Sequence, residues 1–254
     1  MKPRISATLT AAILVLLAGC VSTPKTGLAD RSPVRETSAC QQTENTKFTK
    51  DGKGLADPDL VIRNLSACLQ SWPDAPRGYR AATLQMRAIG YEQLKDYAHA
   101  IADREESLRL KPPSTGWDII DLASNYRSIG QSERAVELLR KMLQDNLGLR
   151  GKGTTPGMPS YYHLGRALVE LQQWSGAAES FSEGMRYQQD YVWAYAYRGL
   201  AYDRMEQQAL AQVDINKARS LIGALKPDAR EEARQTIKEP PFAELFAKYP
   251  EQGN

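Results

Sequence analysis

Two stretches of this chain repeat each other at a fixed offset. Setting Gly165 over Gly199 brings Leu168 over Tyr202, Ala177 over Ala211 and Phe181 over Ile215, a period of 34 residues opened by Tyr161-Tyr162-His163-Leu164. A repeat of this length marks stacked helix pairs, each too small to bury its apolar face except against its neighbours. Such an architecture acts by binding.

The same register extends upstream. The small residues Ala88, Ala123, Gly165 and Gly199 on each first helix answer Ala100, Ala135, Ala177 and Ala211 on each second helix. Only small side chains fit where two antiparallel helices cross closely. A larger residue three places on (Tyr91, Tyr126, Leu168, Tyr202) fills the gap beside the crossing. On the second helices Ala135, Leu139 and Met142, and later Ala211, Ile215 and Ala218, form the stripe of an amphipathic helix. Pro112 ends the second helix of the first pair, because proline has no N–H to continue the ladder. Full units are expected to open near Ala81, Gly116, Met158 and Val192. Arg87, Arg104 and Arg198 depart from the pattern, standing where apolar residues are usual. Asp59 to Trp72 reads as a further second helix, with core positions Val61, Leu65 and Cys68, and as an atypical terminal half-repeat.

Over residues 57–221 this pattern resembles the tetratricopeptide repeat (TPR) family. The resemblance implies an all-α solenoid of helical hairpins over 57–223. In that family the first helices line a concave face, with positions 2, 5, 9, 12 and 13 of each unit inward. Carried over by register, the partner-binding groove would hold Trp117 and Arg127 of the second unit and Tyr162 and Arg166 of the third. The fourth would supply Trp193 and Arg204, with Tyr197 on the border. Aromatic residues and arginine dominate binding hot spots, and arginine holds a carboxylate through two parallel hydrogen bonds. The alternative for Trp117 and Trp193 is packing at the junctions between repeats. Gln85 and Ile89 stand where the carboxylate-clamp subtype carries Lys and Asn, so a Met-Glu-Glu-Val-Asp type of ligand is not expected. Beyond the repeats, Asp228 to Lys238 reads as a charged helix, Pro240-Pro241 as a break and Phe242 to Tyr249 as a short apolar helix. Residues 224–254 are therefore expected to cap the last unit.

The first residues point to an address. Lys2 and Arg4 precede an apolar run from Ile5 to Ala18, too short for a good span and suited to a secretory signal. Leu17-Ala18-Gly19-Cys20 is similar to the bacterial lipobox, which implies cleavage after residue 19 and lipidation (palmitate included) of Cys20. Val21 rather than Asp follows, so the expectation is an outer-membrane lipoprotein facing the periplasm. Residues 20–56 would carry the lipid and a flexible tether, its first polar stretch reaching roughly 25 Å.

Composition narrows the function further. The formal charge of +3 falls to +1 once Lys2 and Arg4 leave with the signal, so nothing favours nucleic acid. With Cys20 taken by lipid, Cys40 and Cys68 in an oxidising compartment are expected to form one disulfide, two free thiols being the alternative. His99 and His163 belong to no triad or metal motif and read as surface or packing residues. Gly148 to Gly157 is no phosphate loop, since Gly153 follows Gly151-Lys152 where Ser or Thr is required, and reads as an insertion able to carry recognition. The sequence therefore implies no enzyme, no cofactor and no metal. It implies a lipid-anchored adaptor binding protein partners of the cell envelope. Close variants of that role are an assembly chaperone of pilotin type for an outer-membrane complex and a regulator of a peptidoglycan enzyme.

Overall fold

The computed structural model describes residues 38–41, 47–49, 52 and 54–250. The expected signal peptide 1–19, Cys20 and much of the expected tether lie outside the described residues. Among the described residues the fold is all-α apart from one small hairpin and an isolated Phe48–Leu55 bridge, and the chain divides into two compact units between Pro112 and Pro113.

The N-terminal unit contains α1 (Ser38–Gln41), α2 (Pro58–Ser71), α3 (Arg77–Gln93) and α4 (Tyr97–Leu110). Asp57 caps α2 by accepting the Leu60 N–H at 2.9 Å, and Pro58 stands at N1, where its missing donor costs nothing. A Cys40–Cys68 disulfide ties α1 to α2. Leu55 is fully buried with Val61, Leu65 and Met86, and the Gln93 amide brackets its backbone with two 2.8 Å hydrogen bonds. The packed unit thus starts well before residue 57. Sequence polarity suggested a tether up to 56, but one leucine, one disulfide and a distant glutamine fix this segment. Helix α3 also begins four residues before the expected Ala81.

The C-terminal unit contains α5 (Gly116–Ser128), α6 (Ser132–Gln144), α7 (Gly157–Glu170), α8 (Trp174–Met185), α9 (Val192–Arg204) and α10 (Gln208–Gly223). Three hairpins stack in order: α6 packs on α7 and α8 on α9, while the first helices α5, α7 and α9 lie side by side. The expected insertion is an ordered antiparallel hairpin, β1 (Leu147–Gly148) with β2 (Gly151–Lys152). Two short helices follow, α11 (Pro227–Thr236) and α12 (Ala243–Lys248).

Helix crossings follow the small-residue register. Ala88, Ala123, Ala100, Ala135, Ala177 and Ala211 are all fully buried. A Cβ added at Gly165 would meet the Phe181 ring at 2.7 Å, and one at Gly199 would meet Ile215 Cδ1 at 3.0 Å. Each hairpin turns through one left-handed residue in the same register: Lys95, Gly130, Gln172 and Glu206. The next N–H (Asp96, Gln131, Gln173, Gln207) closes each turn on the carbonyl of Tyr91, Tyr126, Leu168 or Tyr202 at 2.8–2.9 Å. This is Schellman closure, and only the second hairpin uses the glycine that suits it.

The out-of-pattern arginines make buried ion pairs. Arg87 forks onto Asp103 at 2.8 and 2.7 Å and reaches Ser66 on the preceding second helix at 2.9 Å. Arg198 repeats the arrangement with Asp214 at 2.7 and 2.8 Å and Ser182 at 2.9 Å. Arg104 pairs with Glu92 at 2.6 Å. Burial pushes the Asp214 carboxyl above its ordinary value even though Arg198 pulls it down.

Candidate functional site

The candidate site lies on the first helices of the C-terminal unit, where side chains of α5, α7 and α9 converge. Arg166 leaves the third turn of α7 half-buried, its guanidinium 5.0 Å from the Tyr197 ring centroid and 5.8 Å from that of Tyr162. The two rings are 6.0 Å apart, and Tyr191 closes on Tyr162 at 5.0 Å. Beside them Arg127 of α5 lies over Glu170 of α7, with its Nε 3.1 Å from both carboxylate oxygens and a further contact from its terminal nitrogen. Ser132 donates to the same carboxylate at 2.5 Å.

Burial sets the protonation states. His163, one residue from Tyr162 on α7, is buried, and its Nδ1 has no hydrogen-bond partner. Burial, then the charges of Arg127 and Arg166, push its pKa down to about 3, so it is neutral at physiological pH. Burial raises the Tyr162 phenol well above its ordinary value and Tyr191 to about 12, and it raises Tyr197 as well. Burial opposes the charge on Arg166, but the phenols and Glu170 more than offset it, so the guanidinium stays charged.

The structure brings Tyr162, Arg166 and Tyr197 into one cluster, with Arg127 at its edge. Trp117 is half-buried on the first turn of α5 and Arg204 is exposed at the end of α9. Three expected groove anchors need correction. Trp193, Tyr162 and Tyr197 are only 3%, 5% and 8% exposed, so they do not present open faces to a ligand. The cause is long-range packing. Phe242, from the segment before α12, lies 5.7 Å from Trp193 and 4.8 Å from Tyr197. Lys248 and Tyr249 both donate to Asp203 on α9 at 2.6 Å. Burial raises the Asp203 carboxyl, but these two bonds hold it below its ordinary value. Arg219 of α10 donates to the Phe246 carbonyl at 2.6 Å. The tail therefore covers the last hairpin as the sequence suggested, and Trp193 packs at that junction. Arg127 is also less open than expected: its side chain is 6% exposed because Glu170, 43 residues away, covers it. Nothing local in the sequence announces that pair.

Among the described residues no group of three His, Cys, Asp or Glu side chains is placed to hold a metal ion. No helix there is long and apolar enough to cross a membrane.

No protein-family model matches the sequence, and no curated protein is found similar to it. Solved structures do match. A MamA protein shares 20% identity at a TM-score of 0.55, covering 72% of this chain and 87% of that one. MamA from Desulfovibrio magneticus RS-1, residue 41 to the end, shares 17% identity at 0.57, covering 67% and 89%. YrrB, described as a TPR protein with an unusual peptide-binding site, shares 15% identity at 0.53, covering 70% and 84%. At these identities the likeness establishes the TPR fold.

Proposed function

We propose that this chain is a non-catalytic adaptor of the cell envelope. It is anchored by lipid on Cys20, faces the periplasm from the outer membrane, and holds a segment of a partner protein against the α5–α7–α9 face. The observation that carries this reading is the Arg166 cluster. The packing of each hairpin is carried by other positions of the first helices, as at the α7–α8 crossing of Gly165 and Phe181, and does not call on the inner positions. Here those positions hold a charged guanidinium in a frame of tyrosines, reachable from solvent, with Trp117 half-open on the neighbouring helix. Aromatic and arginine side chains so grouped are the types that concentrate binding energy. YrrB, described as having a peptide-binding site, is a precedent for peptide binding on this fold. Leu17-Ala18-Gly19-Cys20 supports the anchor, which would raise the local concentration of the adaptor without adding contacts.

A photo-crosslinking amino acid placed at Trp117 or Arg166, with Glu179 on α8 as control, tests the reading in envelope membranes. One protein adduct from positions 117 and 166, absent from 179, is expected. Adducts from 179 alone would move binding to the second helices and sink the proposal. Cys20→Ser should shift the chain from the membrane to the soluble fraction, and unchanged membrane retention would exclude a lipid anchor on that residue.

A further inference from the structure

The chain lays a segment of its own across the first unit. Residues 47–49 and 54–56 run antiparallel: Phe48 and Leu55 form a bridge, the Ala56 N–H donates to the Lys47 carbonyl at 2.9 Å, and the Thr49 N–H donates to the Gly54 carbonyl at 2.8 Å. These bonds flank Phe48 and Leu55, so the N–H and C=O of Leu55 itself point outward. Gln93 of α3 takes both. Its amide oxygen accepts the Leu55 N–H and its amide nitrogen donates to the Leu55 carbonyl, each at 2.8 Å. One side chain thus satisfies one residue as a neighbouring strand would. The approach is close, since a Cβ on Gly54 would stand 2.7 Å from the Gln93 Oε1. The Leu55 side chain is fully buried against Val61 and Leu65 of α2 and Met86 of α3, with Phe48 and Ile89 packed beside it.

Ile89 and Gln93 stand at positions 9 and 13 of the first unit, two of those that the repeat register turns inward. The segment is leashed at both ends. Cys40 is bonded to Cys68 on one side, and on the other Asp57 caps α2 through the Leu60 N–H. Both ties remain when residues 47–56 swing away, so release needs no unfolding of α2 or α3. Release gives up the burial of one leucine and two hydrogen bonds, and it bares Val61, Leu65 and Met86. Exchange for a segment with the same contacts recovers both. We propose that residues 47–56 are a strap that holds shut a segment-binding site on the inner face of the first unit. The partner that fits in its place is an extended protein segment carrying glycine followed by leucine or a similar aliphatic residue. Gln93 reads the backbone, its close approach demands the glycine, and the Val61, Leu65 and Met86 pocket takes the aliphatic side chain. This site lies in the other unit from Arg166 and stands whether or not that face binds.

The test uses the mature chain with Cys20→Ser and its disulfide intact. Hydrogen exchange needs no change in the strap. The Leu55 amide should be about a hundredfold less protected than the Met86 amide of α3, because the strap opens without the rest of the unit. Equal protection would make residues 47–56 part of the unit's core and overturn the proposal. The second arm follows the fluorescence anisotropy of a labelled peptide copying residues 46–57. Leu55→Asp in the chain should open the strap and tighten peptide binding by about tenfold or more over the chain with its strap unchanged. Adding Gln93→Ala to the opened chain should weaken it by about tenfold, the worth of the two backbone hydrogen bonds, and so should alanine at the peptide's copy of Gly54. Where Leu55→Asp unfolds the N-terminal unit, Gly54→Ala, which only crowds Gln93, opens the strap instead. Failure of the peptide to bind an opened chain, or binding indifferent to Gln93 and to that glycine, would overturn the proposal. Dimers of the unopened chain that crosslink position 55 of one copy to position 93 of another would make a second copy the occupant and overturn the assignment to a separate partner.

Discussion

His163 should make the stability of this protein depend on pH from just below neutrality downward, above the ordinary range of its carboxyl groups at first. The imidazole is buried with Nδ1 unpaired, and its pKa falls from an ordinary 6.5 to about 3 on folding. Between those values the unfolded chain binds a proton that the folded chain refuses. Stability therefore rises with pH, is fully present above about pH 6.5, and is lost as pH falls toward 3. The two-state expression gives a loss of about 2 kcal/mol between pH 7 and pH 5, and about 1.4 kcal/mol for each further unit. Arg166 and Tyr162 keep their charge states across that window, the depressed carboxyl of Asp203 responds only below its ordinary 3.8, and the raised carboxyl of Asp214, whose effect on stability has the opposite sign, is common to the two proteins compared below. Urea unfolding followed by circular dichroism at pH 7 and pH 5 measures the loss. His163→Phe keeps a ring at the site and removes the titration, so its pH 7-to-5 difference should be smaller than the wild type's by that same amount. Equal differences in the two proteins would refute the assignment of His163 as a buried neutral base.

Three further outcomes follow from the packing. Gln172→Gly should stabilise by about 0.5–1 kcal/mol in urea unfolding, because glycine relieves the left-handed strain that Gly130 avoids, less its own unfolded-state entropy. Asp214→Ala should cost about 3–5 kcal/mol by stranding Arg198, whereas Arg198→Leu with Asp214→Leu, which copies the Leu122 and Leu138 pair of the second hairpin, should restore most of that stability. Ending the chain at Glu239 should expose Trp193, read as a red shift of tryptophan emission; an unshifted spectrum would mean that Phe242 does not cover it in solution.

The helices were legible because helix pairing is a local matter. Gly165 and Ala177 are 12 residues apart, and their small size tells where two helices touch without reference to the rest of the chain. Helix starts at Gly116 and Val192 agree with the register, and that at Gly157 falls one residue before the expected Met158. The left-handed turn residues escaped notice because Lys95, Gln172 and Glu206 carry no compositional mark; their position is set by the Schellman closure around them. The arginine anomalies were visible as departures. Their resolution in Asp103 and Asp214 was equally available, since each acid lies 16 residues after its arginine in the same repeat register.

Openness is a different kind of property. A repeat register says in which direction a side chain leaves its helix, and Trp193, Tyr197 and Arg166 all leave theirs at or beside the inner face. What lies in that direction is decided by residues far along the chain. Phe242 covers Trp193 and Tyr197 because the last hairpin exposes an apolar side that another hairpin would otherwise bury, and α12 with its leading phenylalanine takes that place. The cover also limits the site. With Trp193 spent on the cap and Asp203 held by Lys248 and Tyr249, the face left for a partner in this unit centres on Trp117 and Arg166, with Tyr162 and Tyr197 as its floor. A face that small binds well only if one contact is strong. The proposed adaptor role therefore leans on Trp117 and Arg166 more than on the number of inward aromatics, because Trp193, Tyr162 and Tyr197 are buried within the fold.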